Sequence, residues 1–349
     1  MILDDPRHDD AGIIQSKILA LSHHRRRIIC DFRDDAYNDA ARVFEALKPM
    51  SVVGGRKIRV GGRHDGSYVM LEPRDDARRK IAYSFGISTI APWDLEMARR
   101  GYEIFQYDGT VDRSPDRHPL IKFHKFNIAG ETSPLKGEKN IARIISDHNH
   151  QDCWSIILQM DIEGAEWEVL EKISEEDINH FEQIIVEWHW FPTNDRRKLE
   201  RRLGLLRKIN QTHQSIHIHA PNCAIPTVIQ GLRVLPQVFE VAYVRKKHPL
   251  TAENEYKFHE CKESFPGDFD IPYGPFFVPN VFLGSYSHQG QVAGARLGDK
   301  EVLALLKKGW VPLWLINTAA AFIPLPKYRK LFRAHWASRW ARRKILLLH

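Results

Sequence analysis

The sequence predicts an α/β protein: a doubly wound sheet, preceded by a helical N-terminal segment and followed by an irregular, then helical, C-terminal extension. Three observations carry this. Five strand-like runs occur in succession between residues 81 and 190, separated by helical stretches. The most apolar of them, Ile156 to Met160, has the composition of a strand buried on both faces. Several runs also close on polar groups: Tyr107-Asp108, Met160-Asp161-Ile162-Glu163 and Glu187-Trp188-His189. In open α/β sheets ligands sit at the carboxyl ends of strands, so these acids mark the functional end.

The totals set outer bounds. With 349 residues, 43% hydrophobic and 27% charged, the chain is long and apolar enough for one large or two ordinary globular domains. Its four cysteines (Cys30, Cys153, Cys223 and Cys261) have no metal-ligand spacing and no look of a disulfide framework, which points to a reducing cytoplasm. The start, MILDDPRHDD, lacks the apolar core of a secretory signal. The net charge of +7 is local. Residues 326–349 carry eight Lys or Arg and no acid, leaving 43 basic against 44 acidic residues elsewhere. A near-neutral body argues against a nucleic-acid partner, whose enzymes carry basic surface around the site itself.

In chain order, residues 12–48 read as two helical pieces. Ile13, Ile14, Ile18, Leu19 and Leu21 give one apolar face, and Ala41, Val43, Phe44 and Leu47 the other; the basic cluster His23–Arg27 between them reads as a solvated face. Residues 58–72 read as a hairpin turning at His64-Asp65-Gly66-Ser67, with Asp65 a turn residue. Ile81 to Phe85 is a strand and Gly86 the sharp turn after it. Pro92 then opens a helix that Gly101 ends. Tyr102 to Asp108 is the second strand. Asp108 lies 22 residues after Gly86, the spacing at which an acid at a second strand's tip meets ribose hydroxyls. Leu120 to Asn127 is the third strand, ending at Asn127-Ile128. Residues 137–149 form an amphipathic helix on Ile141, Ile144 and Ile145.

The central strand follows, then Gly164 as a turn and a helix from Ala165. Asp161 at this tip reads equally well as the N-cap of that helix and as a ligand-facing acid. Gln183 to Trp190 is a fifth strand, Lys198 to Gln211 a helix, Ser215 to His219 a sixth strand and Val238 to Val244 a seventh. The last two strands lack a long helix between them, which suits an antiparallel pair at one edge. The expected organisation is thus a helical segment at 1–50, a main domain at 51–248 with its core at 80–248, an irregular arm at 249–296 and a helical basic tail at 297–349. Within the tail, 309–326 is apolar but interrupted by Pro312 and Pro324. It is short for a membrane span. Peripheral contact of 309–349 with the inner face of the membrane and a helix folded back on the body both fit.

These motifs carry a resemblance. Ser84-Phe85-Gly86, Trp93-Asp94-Leu95-Glu96, Asp108, Met160-Asp-Ile-Glu-Gly-Ala-Glu166 and Val186-Glu-Trp-His189 together resemble a class I S-adenosylmethionine-dependent methyltransferase of the FkbM-type, methyltransferase-like branch. Arg59-Val-Gly-Gly-Arg-His-Asp65-Gly66, His219-Ala-Pro-Asn222-Cys223 and Glu240-Val-Ala-Tyr-Val-Arg245 are similar to the same branch. The resemblance spans roughly residues 56 to 247 and is most specific at the Asp161–Glu166 motif. It departs from the wider superfamily where a GxGxG loop is reduced to Gly86 alone.

The resemblance implies a Rossmann-like, seven-stranded class I methyltransferase sheet, with S-adenosylmethionine as cofactor. Phe85, Gly86 and Ile87 would pass beneath the cofactor, Asp108 would hold the ribose, Asn127 and Ile128 would flank the adenine, and Asp161 would stand near the sulfonium and the acceptor. His189 is the first choice of base for an alcohol acceptor, then Asp161, with Glu187 on the same face as His189. Asp161, Glu163, Glu187 and His189 would also suit a divalent ion, but no metal is expected. The acceptor class is a small molecule or a sugar or glycan hydroxyl. The segment Phe322 to Arg333 is similar to carboxyl-terminal segments of bacterial surface-polysaccharide enzymes. Two other readings compete. A dinucleotide oxidoreductase lacks its GxGxxG seat. A non-catalytic module would bind a partner or membrane surface through the basic tail and show no cofactor affinity.

Overall fold

The structure is a computed structural model that describes residues 29–31, 36–63, 65–74, 79–191, 195–221, 227–229, 233–265, 269–270 and 284–285. The first helical piece, the His23–Arg27 cluster, His64, Asn222, Cys223 and the whole of 286–349, including the basic tail, lie outside the described residues. The chain divides into two compact units.

The larger unit, Phe44–His219 with Val238–Lys262, is built on a seven-stranded sheet. Its strands in chain order are β1 (Ile81–Phe85), β2 (Glu103–Tyr107), β3 (Ile121–His124), β4 (Ile156–Met160), β5 (Phe181–Trp188), β6 (His213–His219) and β7 (Phe239–Arg245). The spatial order is β3-β2-β1-β4-β5-β7-β6. Neighbours from β3 to β5 are parallel, and β7 runs antiparallel to both β5 and β6. The mixed seven-stranded sheet with helices is the Rossmann-like architecture that the strand–helix alternation predicts. The order reverses between β1 and β4, which makes the crevice beyond their carboxyl ends the place for a ligand.

β1 and β4 are buried along their whole length, as central strands of a covered sheet must be. Helices connect the strands, among them α1 (Pro92–Arg99), α2 (Ile141–Asp147), α3 (Glu166–Lys172) and α4 (Arg196–Thr212). α1 starts on a proline and buries Trp93, Met97 and Ala98, and Gly101 follows it at φ +88°, a left-handed stop that glycine takes without strain. α2 is capped by Asn140, whose side chain accepts from the Arg143 amide, and α4 by Asp195, which accepts from that of Lys198.

The hairpin Lys57–Val60 with Tyr68–Leu71 lies against one face of the sheet. Ile58, Val60, Tyr68 and Met70 join a core with Ala82, Ile157, Ile185 and Ala242. The Gln183 side chain on β5 fixes the hairpin's position by exchanging two 3.1 Å hydrogen bonds with the Leu71 backbone. Phe258–Glu260 pairs antiparallel with Met50–Val52, so the stretch after β7 contributes a short strand.

Two expectations are corrected. The third strand stops at His124, where the Phe126 amide turns back to the His124 carbonyl; Asn127–Ile128 instead pair with Glu138–Lys139. In the helix Ala36–Ala46, Ala40 and not Ala41 completes the buried face with Val43 and Phe44.

In the smaller unit (1–43, 220–237 and 263–349), Thr227–Ile229 runs parallel to Ile29–Asp31 and antiparallel to Arg233–Leu235. Ser264–Phe265 pairs with Gly284–Ser285. Among the described residues no helix is long and apolar enough to cross a membrane.

Candidate active site

A cleft of about 560 Å³ opens at the switch point. Gly86, Ile87, Asp108, Asn127, Ile128 and Asp161 all line it. Phe85 does not; it is fully buried beneath. Glu187 and His189 are both buried and reach the cleft through Asp161.

The turn after β1 is built for close approach. Gly86 has φ +80°, and a Cβ there would lie 1.8 Å from the Asp161 carbonyl oxygen. Only glycine fits. The next amides, of Ile87 and Ser88, both donate to Asp108 Oδ2, at 3.0 and 3.1 Å. The Thr110 amide and hydroxyl donate to Oδ1 at 2.7 and 2.6 Å. Burial alone would raise the Asp108 carboxyl, but these four bonds outweigh it and hold the group below its ordinary value. They also occupy the roughly four acceptor sites of a carboxylate. A diol at Asp108 must therefore displace a donor, and the Thr110 hydroxyl is the one free to rotate away. The Asn127 side chain packs on Gly109, where a Cβ would meet its amide within 2.7 Å. Ile128 is buried beside it.

At the other end, Asp161 is not a helix cap. The N-cap of α3 is Ala165, without a side-chain bond, and the Ile162 amide donates to Glu166 Oε1 at 3.0 Å. Asp161 Oδ2 accepts from the Tyr68 hydroxyl at 3.2 Å, and Oδ1 lies 3.7 Å from His189 Nε2. His189 Nδ1 lies 2.9 Å from Glu166 Oε1 and 3.0 Å from the Glu187 carbonyl. Those acceptors fix the Nδ1–H tautomer of the neutral ring and aim Nε2 at three carboxylates. Besides Asp161, Glu187 Oε1 and Glu163 Oε2 each stand 3.6 Å from Nε2.

The electrostatics follow from this crowding. Burial, with Glu163, Glu166 and Asp65 nearby, pushes the Asp161 carboxyl up to about 7 although His189 opposes the rise. Burial and the charges of Asp161 and Glu240 push Glu187 well up. For His189, burial works downward, but Glu166, Asp161 and Glu163 outweigh it and hold the imidazole above its ordinary value.

The backbone here is tightly held. Glu163 and Trp190 have φ +55° and +58°, uncommon for side-chain-bearing residues. Trp167 Nε1 donates to the His189 carbonyl at 2.8 Å, and Arg202 donates to the Trp190 carbonyl while its guanidinium stacks over the Trp167 ring. These contacts fix the unusual conformation. Trp190 stays 47% exposed, one of few large apolar side chains in water among the described residues.

The sequence singled out Asp161, Glu187 and His189, and the fold brings them together. Four residues reach the same end without having been assigned a role there: Tyr68, Asp65, Glu166 and Glu240, the last directly opposite Glu187 on β7 and bonded to His219 Nδ1 at 2.8 Å. Asp65, Glu166 and Glu240 all stood inside motifs of the resemblance, which was the available signal.

A Rossmann-like sheet with a glycine turn after β1, an acid after β2 and an acid–imidazole cluster after β4 and β5 is the arrangement that the resemblance to methyltransferases implies. Residues 129–215 match a family model described as methyltransferase FkbM domain, which supports an FkbM-type, methyltransferase-like family for this chain. No curated protein matches it significantly.

Proposed function

We propose that the protein transfers the methyl group of S-adenosylmethionine to a hydroxyl of a small molecule, sugar or glycan. One observation carries this reading: the glycine turn, the Asp108 loop and Asp161, the cleft-side carboxylate of the acid–imidazole cluster, all border a single cleft at the switch point. In this reading the cofactor lies over Gly86 and Ile87, with its ribose toward Asp108 and its adenine between Asn127 and Ile128. Its sulfonium points toward Asp161.

Methyl transfer requires in-line approach of the acceptor oxygen to an already activated carbon, so positioning supplies much of the rate. The hydroxyl must also lose its proton to a group within reach. His189, backed by Glu166 and set beside Asp161 and Glu187, is the base of this reading. The exposed indole of Trp190 offers a flat apolar face of the kind on which a sugar ring stacks.

Calorimetric titration with S-adenosylmethionine, S-adenosylhomocysteine and NAD tests the reading. Micromolar binding of the first two without the third is the expected result. Binding of none would replace it with the non-catalytic module.

A further inference from the structure

We propose that His189, Asp161 and Glu187 form a binding site for a divalent transition-metal ion of the manganese or zinc kind, with Glu163 closing the set from the solvent side. The first three offer ligand atoms that all lie within 4.8 Å of one another. His189 Nε2 is 3.6 to 3.7 Å from one oxygen each of Asp161, Glu187 and Glu163. Charge-assisted hydrogen bonds would be about 2.7–2.9 Å. Neighbouring ligand atoms on one ion held at about 2.1 Å are separated by roughly 3.0–3.4 Å. The three Nε2–oxygen gaps thus lie beyond hydrogen bonding and a few tenths of an ångström outside a closed coordination shell, and the carboxylates of Asp161 and Glu187, within 4.8 Å of one another, would draw together on an ion.

Two further observations point to an ion. First, the outer partners are in place. Glu166 holds Nδ1 at 2.9 Å, and Tyr68 donates to the Asp161 oxygen that faces away from His189. A carboxylate behind the imidazole and a donor behind the carboxylate orient metal ligands in this way. Second, Glu187 is only 5% exposed, and no hydrogen-bond donor among the described residues reaches its carboxylate. Its neighbour across the β5–β7 pair is another carboxylate, Glu240. A buried, undonated carboxylate aimed at an imidazole calls for a cation. One imidazole among carboxylates suits manganese or zinc better than calcium, which takes oxygen ligands.

The ion's role rests on the methyl-transfer reading: bound to Nε2 it would take the place of His189 as base, holding the acceptor hydroxyl beside the cofactor and lowering its pKa. Its binding does not depend on that reading, and the test separates them. The purified full chain, treated with a chelator and dialysed, is titrated with Mn²⁺ alone and followed by pulsed electron paramagnetic resonance. One ion per chain, with modulation from an imidazole nitrogen, is expected. His189→Gln should remove that modulation, and Glu187→Gln should weaken binding at least tenfold. Glu163→Gln, on a side chain 81% exposed and safe for folding, should weaken it severalfold. No stoichiometric Mn²⁺, or Mn²⁺ without a nitrogen signal, overturns the site. S-adenosylmethionine binding to the same ion-free sample leaves the methyltransferase reading intact in that event. Mn²⁺ bound as expected without any cofactor affinity keeps the ion and sinks the methyl transfer.

Discussion

The Asp161 carbonyl oxygen lies so close over Gly86 that a single added methyl group would come within 1.8 Å of it. The two residues end adjacent strands, and the Asp161 amide donates to the Phe85 carbonyl at 2.9 Å. The seam between β1 and β4 is thereby closed tightly at its functional end. Gly86→Ala combines this overlap with a left-handed φ, and the two together should cost at least about 3 kcal/mol. A thermal melt checks this, and a cofactor titration of whatever folds should show binding lost.

Asp108 is saturated by its own loop. If ribose hydroxyls replace the Thr110 hydroxyl there, Thr110→Val frees one acceptor position in advance. The expected outcome is tighter S-adenosylmethionine binding, by up to about tenfold for one hydrogen bond's worth of free energy. Asp108→Ala should abolish binding and loosen residues 87–88. Unchanged affinity in both variants would remove Asp108 from the cofactor site.

Three histidines outside the acid–imidazole cluster set an acid limit. Burial lowers His213 to about 3, and burial is also the first cause that brings His148 and His150 to about 4. Folded values below the unfolded one, about 6.5, mean that the unfolded chain takes up protons first. The contribution is fully present above pH 6.5 and is lost as pH falls toward 3 to 4. Urea midpoints should decline across that window, and His213→Gln should flatten the decline.

Glu187 sits buried beside Asp161 and Glu240, with no donor among the described residues. Glu187→Gln removes one ionisable carboxyl from this crowded group. In chelator-treated protein it should raise the melting temperature by several degrees while activity falls. A lower melting temperature would mean that the carboxylate is satisfied in some other way.

Much of this architecture was legible because local signals agreed with the final packing. Ile81 to Phe85 is an apolar run bounded by Lys80 and Gly86, and the strand has those limits. Asp161, Glu187 and His189 were visible because parallel strands deliver their last residues to one end. The third strand was overextended because alternation continues through Phe126, whereas the backbone turns at His124. Tyr68 gave no local sign, since its partner Asp161 is 93 residues away and nothing in a hairpin says which strand it will cover. Glu240 is the second residue of its strand, and it meets Glu187, the last but one of β5, only once the antiparallel pairing is known.

The carbonyls of His189 and Trp190 are pinned by Trp167 and Arg202, and this has a kinetic consequence. A ligand that enters against the Trp190 indole meets a surface already set, because the unusual backbone is held before anything binds. Little ordering entropy remains to be lost on that side of the cleft. Association there should be a single bimolecular step without a slow isomerisation, and selectivity should appear in the dissociation rate.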